Sequence, residues 1–163
     1  MNEIPFCPTT AFALWYAQHH FPKPPMEDPI HRYNGLTSIV LYRHNEYQVE
    51  QFILDPMLET PDHAHPNVDS VEIFYAGDLY FRHQGKLLST HEQCQLIRPD
   101  GQQQLYGIMW RVRENESHGV NAGPRGCSFL SVQRWLNGVK PHSVGKDWVD
   151  MATGNTFNKD IKD

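Results

Sequence analysis

Two histidines separated by one residue, His63 and His65, are the residues of this sequence best suited to chemistry. They stand where a predicted β-strand begins. Side chains alternate between the two faces of a strand, so both imidazoles would lie on one face. Two neutral imidazoles on one face form half of a transition-metal site. The pair therefore predicts a metal centre, and the alternative is two surface histidines.

The segment after this pair carries polar residues at alternate positions. Ser70 and Glu72 alternate with Val71 and Ile73, so one face of the predicted strand is polar and the other apolar. A ligand pocket is expected beside the histidines, on the polar face. We expect Glu72 to act as a metal ligand or as a general acid–base group. The alternative is a carboxylate exposed to water.

The composition indicates one soluble globular domain that spans residues 1–163. Hydrophobic residues make up 39% and charged residues 20% of the chain, and its 12 Pro and 11 Gly indicate many turns. A net charge of −5 without a cluster of Lys or Arg argues against nucleic acid and anionic membranes as partners.

Targeting and redox signals are weak. We expect a cytoplasmic protein, because the sequence shows neither the pattern of a signal peptide nor an apolar run long enough to span a bilayer. The three cysteines, Cys7, Cys94 and Cys127, are odd in number and far apart. They predict neither a disulfide framework nor a zinc knuckle.

Most of the predicted elements are strands. A capped helix is expected from Pro8 to Ala17, followed by a proline-rich extended arm to residue 35. Strands are predicted at 37–43, 47–54, 71–81, 106–113 and 127–136. We expect a loop or irregular edge at 89–104, a turn-rich segment at 114–126 and a frayed tail at 155–163. The pattern predicts an all-β sandwich or small barrel with a short N-terminal helix.

Two motifs resemble those of the cupin superfamily. The first consists of His63, His65 and Gly77, and resembles G(x)5HxH(x)3-4E(x)6G. The second runs from Gly107 through His118 to Asn121 and resembles G(x)5PxG(x)2H(x)3N. The similarity extends over about residues 36–136, which would form the barrel core. Residues 1–35 would then be the N-terminal helix and arm, and 137–163 a C-terminal extension.

The resemblance implies a double-stranded β-helix, or jelly-roll barrel, whose mouth holds one divalent metal. It implies that His63, His65 and His118 are the ligands. An all-histidine set favours a first-row transition metal such as Fe, Zn, Ni or Mn over Mg or Ca. Three histidines suffice for a catalytic site in which water completes the coordination shell.

The sequence departs from both motifs. Ser70 stands at the glutamate position, so the usual fourth ligand is absent, and Met57 replaces the leading glycine. Glu72 is expected on the same strand face as Ser70 and is our candidate replacement. Asp69 is a weaker candidate, because it points to the opposite face. In the second motif Asn115 replaces a glycine, which is a mild change since Asn tolerates a left-handed turn.

Two kinds of function follow from the resemblance. The first is a mononuclear metalloenzyme of dioxygenase or isomerase type that acts on a small molecule. The second is a non-catalytic small-molecule binding or structural protein, with or without a metal. We also expect a homodimer, since the N-terminal helix and arm are placed to cover a sheet edge or to reach a partner.

Overall fold

The computed structural model describes residues 2–19, 25–33, 35–89, 94–97, 103–106, 109–142 and 149–150. These residues form one helix and twelve strands. They are, in chain order, β1 (Asn2–Pro5), α1 (Pro8–His19), β2 (Ile30–Tyr33), β3 (Leu36–His44), β4 (Tyr47–Leu54), β5 (His63–Ala64), β6 (Val68–His83), β7 (Lys86–Ser89), β8 (Cys94–Ile97), β9 (Gln103–Tyr106), β10 (Met109–Val112), β11 (His118–Trp135) and β12 (Val149–Asp150).

Helix α1 begins where its sequence predicts. Pro8 occupies the first helical position, where its missing N–H costs nothing. The Thr10 hydroxyl reaches back to accept a hydrogen bond from the Cys7 backbone N–H at 2.8 Å, as in a capping box. Within the part of the chain that the structure describes, no helix is long and apolar enough to cross a membrane.

Most strands are organised in one sheet of nine strands. Its main path runs β10-β6-β11-β4-β3-β2; in addition, β7 pairs with β6, β5 pairs with β11, and β12 pairs with β5. Strands β1, β8 and β9 form a separate three-stranded sheet, in which β1 and β8 are parallel. The hairpin predicted from residues 37–54 is confirmed by the antiparallel pairing of β3 with β4.

The turn predicted at 114–126 is wrong from residue 118 onward, because β11 runs without a break from His118 to Trp135. Its glycines and proline are typical of a loop, but the strand pairs with β6 from His118 to Ala122 and again from Cys127 to Trp135. The pairing shifts register between Ala122 and Cys127. This irregularity accommodates Gly126, which has a φ of 68°.

Two other loop predictions also need correction. The polar segment 89–104, expected to be a loop or irregular edge, contains the paired strands β8 and β9. The proline-rich arm, expected to be an extended loop, contains the strand β2, which pairs with β3. Gly107 of the second motif and the predicted tail at 155–163 lie outside the described residues.

Two apolar clusters pack against the large sheet. One includes Phe52, Phe81, Trp110 and Phe129. The other includes Ala13 and Tyr16 of α1, which pack against side chains of β3, β4, β6 and β11. Alternate residues of β6 and β11 therefore contribute to different clusters, as expected for strands covered on both faces.

Candidate metal centre

Three buried histidines converge in the folded chain. His63, His65 and His118 are 3%, 7% and 5% exposed, and each offers a ring nitrogen within 4.8 Å of those of the other two. His63 and His118 have ring centroids 4.3 Å apart, and His65 lies 5.1 Å from His63 and 5.0 Å from His118. The predicted convergence of these three side chains is therefore confirmed.

Strand pairing and one loop position the three rings. His118 begins β11 and lies directly opposite His63 of the short strand β5. The backbone N–H of Asn115 donates a 2.9 Å hydrogen bond to the carbonyl of His65, which connects the second histidine to the loop before β11. Asn115 has a φ of 61°, so it takes the left-handed conformation expected of Asn at this glycine position.

Backbone carbonyls orient two of the imidazoles. Nδ1 of His63 lies 2.7 Å from the carbonyl oxygen of Pro61, and Nδ1 of His118 lies 2.9 Å from that of Glu116. A carbonyl can only accept, so each Nδ1 carries the proton and each Nε2 keeps its lone pair. Metal-binding histidines are usually oriented in this way.

The surroundings favour the neutral form of two of the imidazoles, those of His63 and His118. Burial lowers the pKa of His118 to about 4, an effect to which the charge of nearby His83 adds. Burial also lowers the pKa of His63 well below its usual range, and the charge of His118 acts in the same direction. Neutral imidazoles are the form that binds metal, so the donor set fits a first-row transition metal.

The histidines line a small cavity of about 30 Å³. Typical ligand pockets enclose several hundred Å³, so this one suits an ion together with a ligand of a few atoms. The remaining lining consists of Glu72 and Ser131, with Thr60 and the apolar side chains of Leu36, Phe52, Leu54, Phe81, Val120 and Phe129. The walls are therefore largely apolar, with few polar groups.

Glu72 lies in this cavity but outside the close group of histidines. Its carboxyl is 5% exposed, and among the described residues the group of possible ligand atoms within 4.8 Å contains only the three histidines. Burial raises the pKa of Glu72 to about 7, against the effect of hydrogen bonds from Ser70 and Ser131, and the charge of Glu50 raises it further. A water-exposed carboxylate, the alternative interpretation, is excluded by this burial.

Asp69, the weaker candidate, lies on the other side of β6. Oδ2 of Asp69 accepts a 2.7 Å hydrogen bond from the Thr9 hydroxyl of α1 and lies 3.1 Å from a guanidinium nitrogen of Arg111. Asp69 does not line the cavity. The expectation that it points away from the histidines is thus confirmed.

Other motif residues shape the surroundings. Met57 has a φ of 64°, a conformation that explains why glycine suits this motif position. The side chain of Asn121 contacts the guanidinium of Arg82 and is not part of the cavity lining. Gly77 has a φ of 84°, and a Cβ there would lie 2.2 Å from the carbonyl oxygen of Gly126. Cys7 and Cys127 are free thiols.

Two supporting residues were not anticipated from the sequence. Nε2 of His83 lies 2.8 Å from the Glu116 carboxylate, which also accepts the backbone N–H of Arg113 at 2.9 Å. These contacts hold the loop whose carbonyl orients His118. No local signal predicts the contact between His83 and Glu116, because the two residues are 33 positions apart.

Comparison with known proteins identifies the fold. No protein-family model matches the sequence, and no curated protein matches it. Solved structures do match. An RmlC-like cupin from Shewanella frigidimarina aligns with a TM-score of 0.53 and 17% identity, over 73% of this chain and 93% of the other.

Two further structures agree. KdgF from a Halomonas species has a TM-score of 0.51 and 11% identity, over 66% of this chain and 86% of its own. The cupin domain of Schizosaccharomyces pombe Cnp3 has a TM-score of 0.50 and 6% identity, over 68% and 69%. Identities this low establish the fold alone. The chain therefore has the double-stranded β-helix fold of the cupin superfamily.

Proposed function

We propose that this protein is a mononuclear metalloenzyme that acts on a small molecule. The observation that carries the proposal is the group of three buried histidines beside a buried carboxyl in one cavity. Backbone carbonyls accept from Nδ1 of His63 and of His118, so the Nε2 atoms of these two rings are the ones available to a metal.

The residues of this chain would divide the work. His63, His65 and His118 would hold the metal through Nε2. When bound, a divalent first-row metal supplies a Lewis acid with open positions for a small ligand. Its identity, among Fe, Zn, Ni and Mn, is a question for elemental analysis.

Glu72 would supply proton transfer. A carboxyl with a pKa of about 7 is present in both its protonated and ionised forms at neutral pH. Such a group can give a proton to a ligand atom or take one from it. The apolar walls of the cavity exclude bulk water from this exchange. The small volume of the cavity limits the ligand to a few atoms. Product analysis would decide between a dioxygenase-type and an isomerase-type reaction.

Metal content tests the proposal. Protein purified without an affinity tag should contain about one equivalent of a first-row transition metal by mass spectrometry of the elements. The variant His118→Ala should lose more than 100-fold in metal affinity, since removing even a supporting group around a ligand costs 10–100-fold. His44→Ala is the matched control, because His44 is exposed at the end of β3, away from the cavity. Metal-free wild type, or equal loss in both variants, would contradict the proposal.

The variant Glu72→Gln separates the two roles of this residue. If Glu72 acts in proton transfer, the variant binds metal as wild type does, and the turnover of substrates falls by 10²–10⁴-fold. If Glu72 is a ligand, the metal affinity itself falls. We expect the first result, because the carboxyl lies outside the close group of histidines.

A non-catalytic binding protein is the second candidate. The small volume of the cavity favours it, since only a very small substrate fits without movement of the walls. Oxygen consumption and product analysis across a panel of small acids, alcohols and ketones distinguish the candidates. A binding protein would show ligand-dependent stabilisation without turnover.

We also propose a homodimer. Trp15 and Phe6, in and beside α1, expose 39% and 40% of their surface, and large exposed aromatic side chains are typical of contact surfaces. Light scattering should give twice the mass of the chain, and Trp15→Glu should reduce it to the monomer value. A monomeric wild type would refute the proposal.

A further inference from the structure

The two oxygens of the Glu72 carboxyl have different surroundings. Oε1 accepts hydrogen bonds from two hydroxyls, that of Ser70 at 2.7 Å and that of Ser131 at 3.0 Å. Oε2 is buried, and none of the described residues forms a hydrogen bond with it. A buried oxygen without a partner is costly, so a ligand in the cavity would supply the missing bond. Oε1 of this carboxyl is thus held by two hydrogen bonds, and Oε2 is available to a ligand.

The hydroxyl of Ser131 is oriented by its other neighbour. Ser131 has a single proton, and its oxygen also accepts a hydrogen bond from the Gln133 side-chain amide at 3.2 Å. An amide nitrogen cannot accept, so the Ser131 proton must point to Oε1 of Glu72. The direction of this bond therefore depends on which end of Gln133 faces Ser131.

Two groups that only donate decide the orientation of Gln133. The indole N–H of Trp135 donates to Oε1 of Gln133 at 3.1 Å. Nε2 of Gln48 donates to the same oxygen at 3.0 Å, and Gln48 is oriented in turn by Arg43, whose Nε donates to its Oε1 at 2.6 Å. Neither the indole nor the guanidinium can accept a hydrogen bond. In this series of hydrogen bonds, each donor consequently points toward Glu72.

We propose that Ser131 and Gln133 are positioning residues, which act with Ser70 to hold Oε1 of Glu72 and leave Oε2 to face the ligand. The chain Trp135 to Gln133 to Ser131 to Glu72 is a directional series of hydrogen bonds, and Ser70, at the motif's glutamate position, completes the anchor. This inference rests on the proposed function, because it assigns a ligand-facing oxygen to the proposed acid–base residue.

The test follows the titration of Glu72 in metal-free protein. Carbon-13 NMR of labelled glutamate side chains gives the pKa, and Glu72→Gln identifies the resonance. A hydrogen bond to the charged form of a carboxyl lowers its pKa, so Ser131→Ala and Ser70→Ala should each raise the pKa of Glu72 by about one to two pH units. Trp135→Phe should raise it less, because Gln48 still orients Gln133. The other titratable groups near Glu72 are Glu50 and the three histidines, and all variants retain them.

Two controls make the test specific. Ser131→Thr keeps the hydroxyl and should restore the wild-type pKa, which a purely structural role of Ser131 does not require. Ser128→Ala removes another buried hydroxyl of β11, one that bonds Gln51 instead, and should leave the pKa unchanged. An unchanged pKa in Ser131→Ala, or an equal rise in Ser128→Ala, would overturn the inference. If Ser131→Ala does not fold, Ser70→Ala decides alone, and an unchanged pKa there also overturns it.

Metal content reports on the proposed function separately. If the wild type binds no metal but the pKa of Glu72 rises in Ser131→Ala, the metalloenzyme proposal is refuted and the positioning role of Ser131 and Gln133 still holds. If the wild type contains metal but the pKa of Glu72 does not rise in Ser131→Ala, only the positioning role is refuted.

Discussion

Asp69 and Glu72 are buried carboxyls three residues apart on the same strand, and they have opposite surroundings. Asp69 is 7% exposed and contacts both a cation and a hydroxyl, at Arg111 and Thr9. Glu72 is 5% exposed, has hydroxyl partners at one oxygen only, and is near a second carboxyl, Glu50. The outer face of β6 thus satisfies its carboxyl, and the inner face leaves one oxygen unsatisfied.

We propose that this difference distinguishes a structural carboxyl, Asp69, from a functional one, Glu72. A paired carboxylate in contact with α1 helps to fasten the helix to the sheet. A carboxyl kept partly protonated by burial lowers the stability of the fold at neutral pH, and such arrangements are concentrated at functional sites. The predictions below test whether stability and chemistry are divided between the two faces in this way.

The largest expected effect is on the pH dependence of stability. The pKa of Glu72 is about 7 in the fold against an ordinary 4.5, so the folded chain holds this proton more tightly than the unfolded chain. The resulting stabilisation is complete below pH 4.5 and is lost as the pH rises through 7. At about 1.4 kcal/mol per pH unit the loss is about 3 kcal/mol.

Urea unfolding of metal-free wild type and Glu72→Gln measures this loss. The free energy of unfolding of wild type, relative to the variant, should fall by about 3 kcal/mol from pH 4.5 to pH 8. Other titrating groups are common to both proteins and cancel. A constant difference across this range would show that Glu72 titrates normally and that the contrast with Asp69 does not exist.

The second effect concerns the outer face. Asp69→Asn removes the partner charge of Arg111, and we expect the free energy of unfolding to fall by about 2 kcal/mol, less than for a fully buried pair because Arg111 is partly exposed. The metal content should not change. Asp78→Asn, which alters an exposed ion pair of the same strand, is the control and should have a smaller effect. Metal loss in Asp69→Asn would show that the two faces are coupled.

The smallest effect comes from the geometry of the ion pair. Arg111 contacts both oxygens of Asp69, at 3.3 and 3.1 Å. Arg111→Lys keeps the charge but cannot form two parallel bonds, so we expect a loss of about 1 kcal/mol in thermal or urea unfolding. No loss would mean that Thr9, rather than Arg111, is the main partner of Asp69.

The sequence predicts the fold class and the convergence of the three histidines well, the first from local alternation of side chains and the second from the resemblance to two motifs. Alternating side chains define β3 and β4, and the motif spacing links His118 to the distant pair. It predicts the partners of the carboxyls poorly. Thr9 and Asp69 are 60 positions apart, as are Thr60 and Val120, and only the tertiary fold brings such residues together.

The error at residues 118–126 has a related cause. Gly119, Gly123, Pro124 and Gly126 are typical of loops, so local propensity predicts a turn. The chain nevertheless pairs with β6 on both sides of residues 123–126, and this pairing outweighs the local turn propensity. The proposed role of Ser131 in positioning Glu72 could not be predicted from the sequence either. A serine in a strand indicates such a role only when the position of Glu72 is known.

The shortest strands have a practical consequence for anyone who engineers this chain. Val149 and Asp150 pair with Ala64 and His63, so a segment near residue 150 flanks the backbone of a proposed metal ligand more than eighty positions earlier. Truncation of the polypeptide before residue 149 would remove β12 and leave that edge of β5 unpaired. Expression plasmids that trim the C-terminal region should therefore be checked for loss of bound ion before any conclusion is drawn about catalysis.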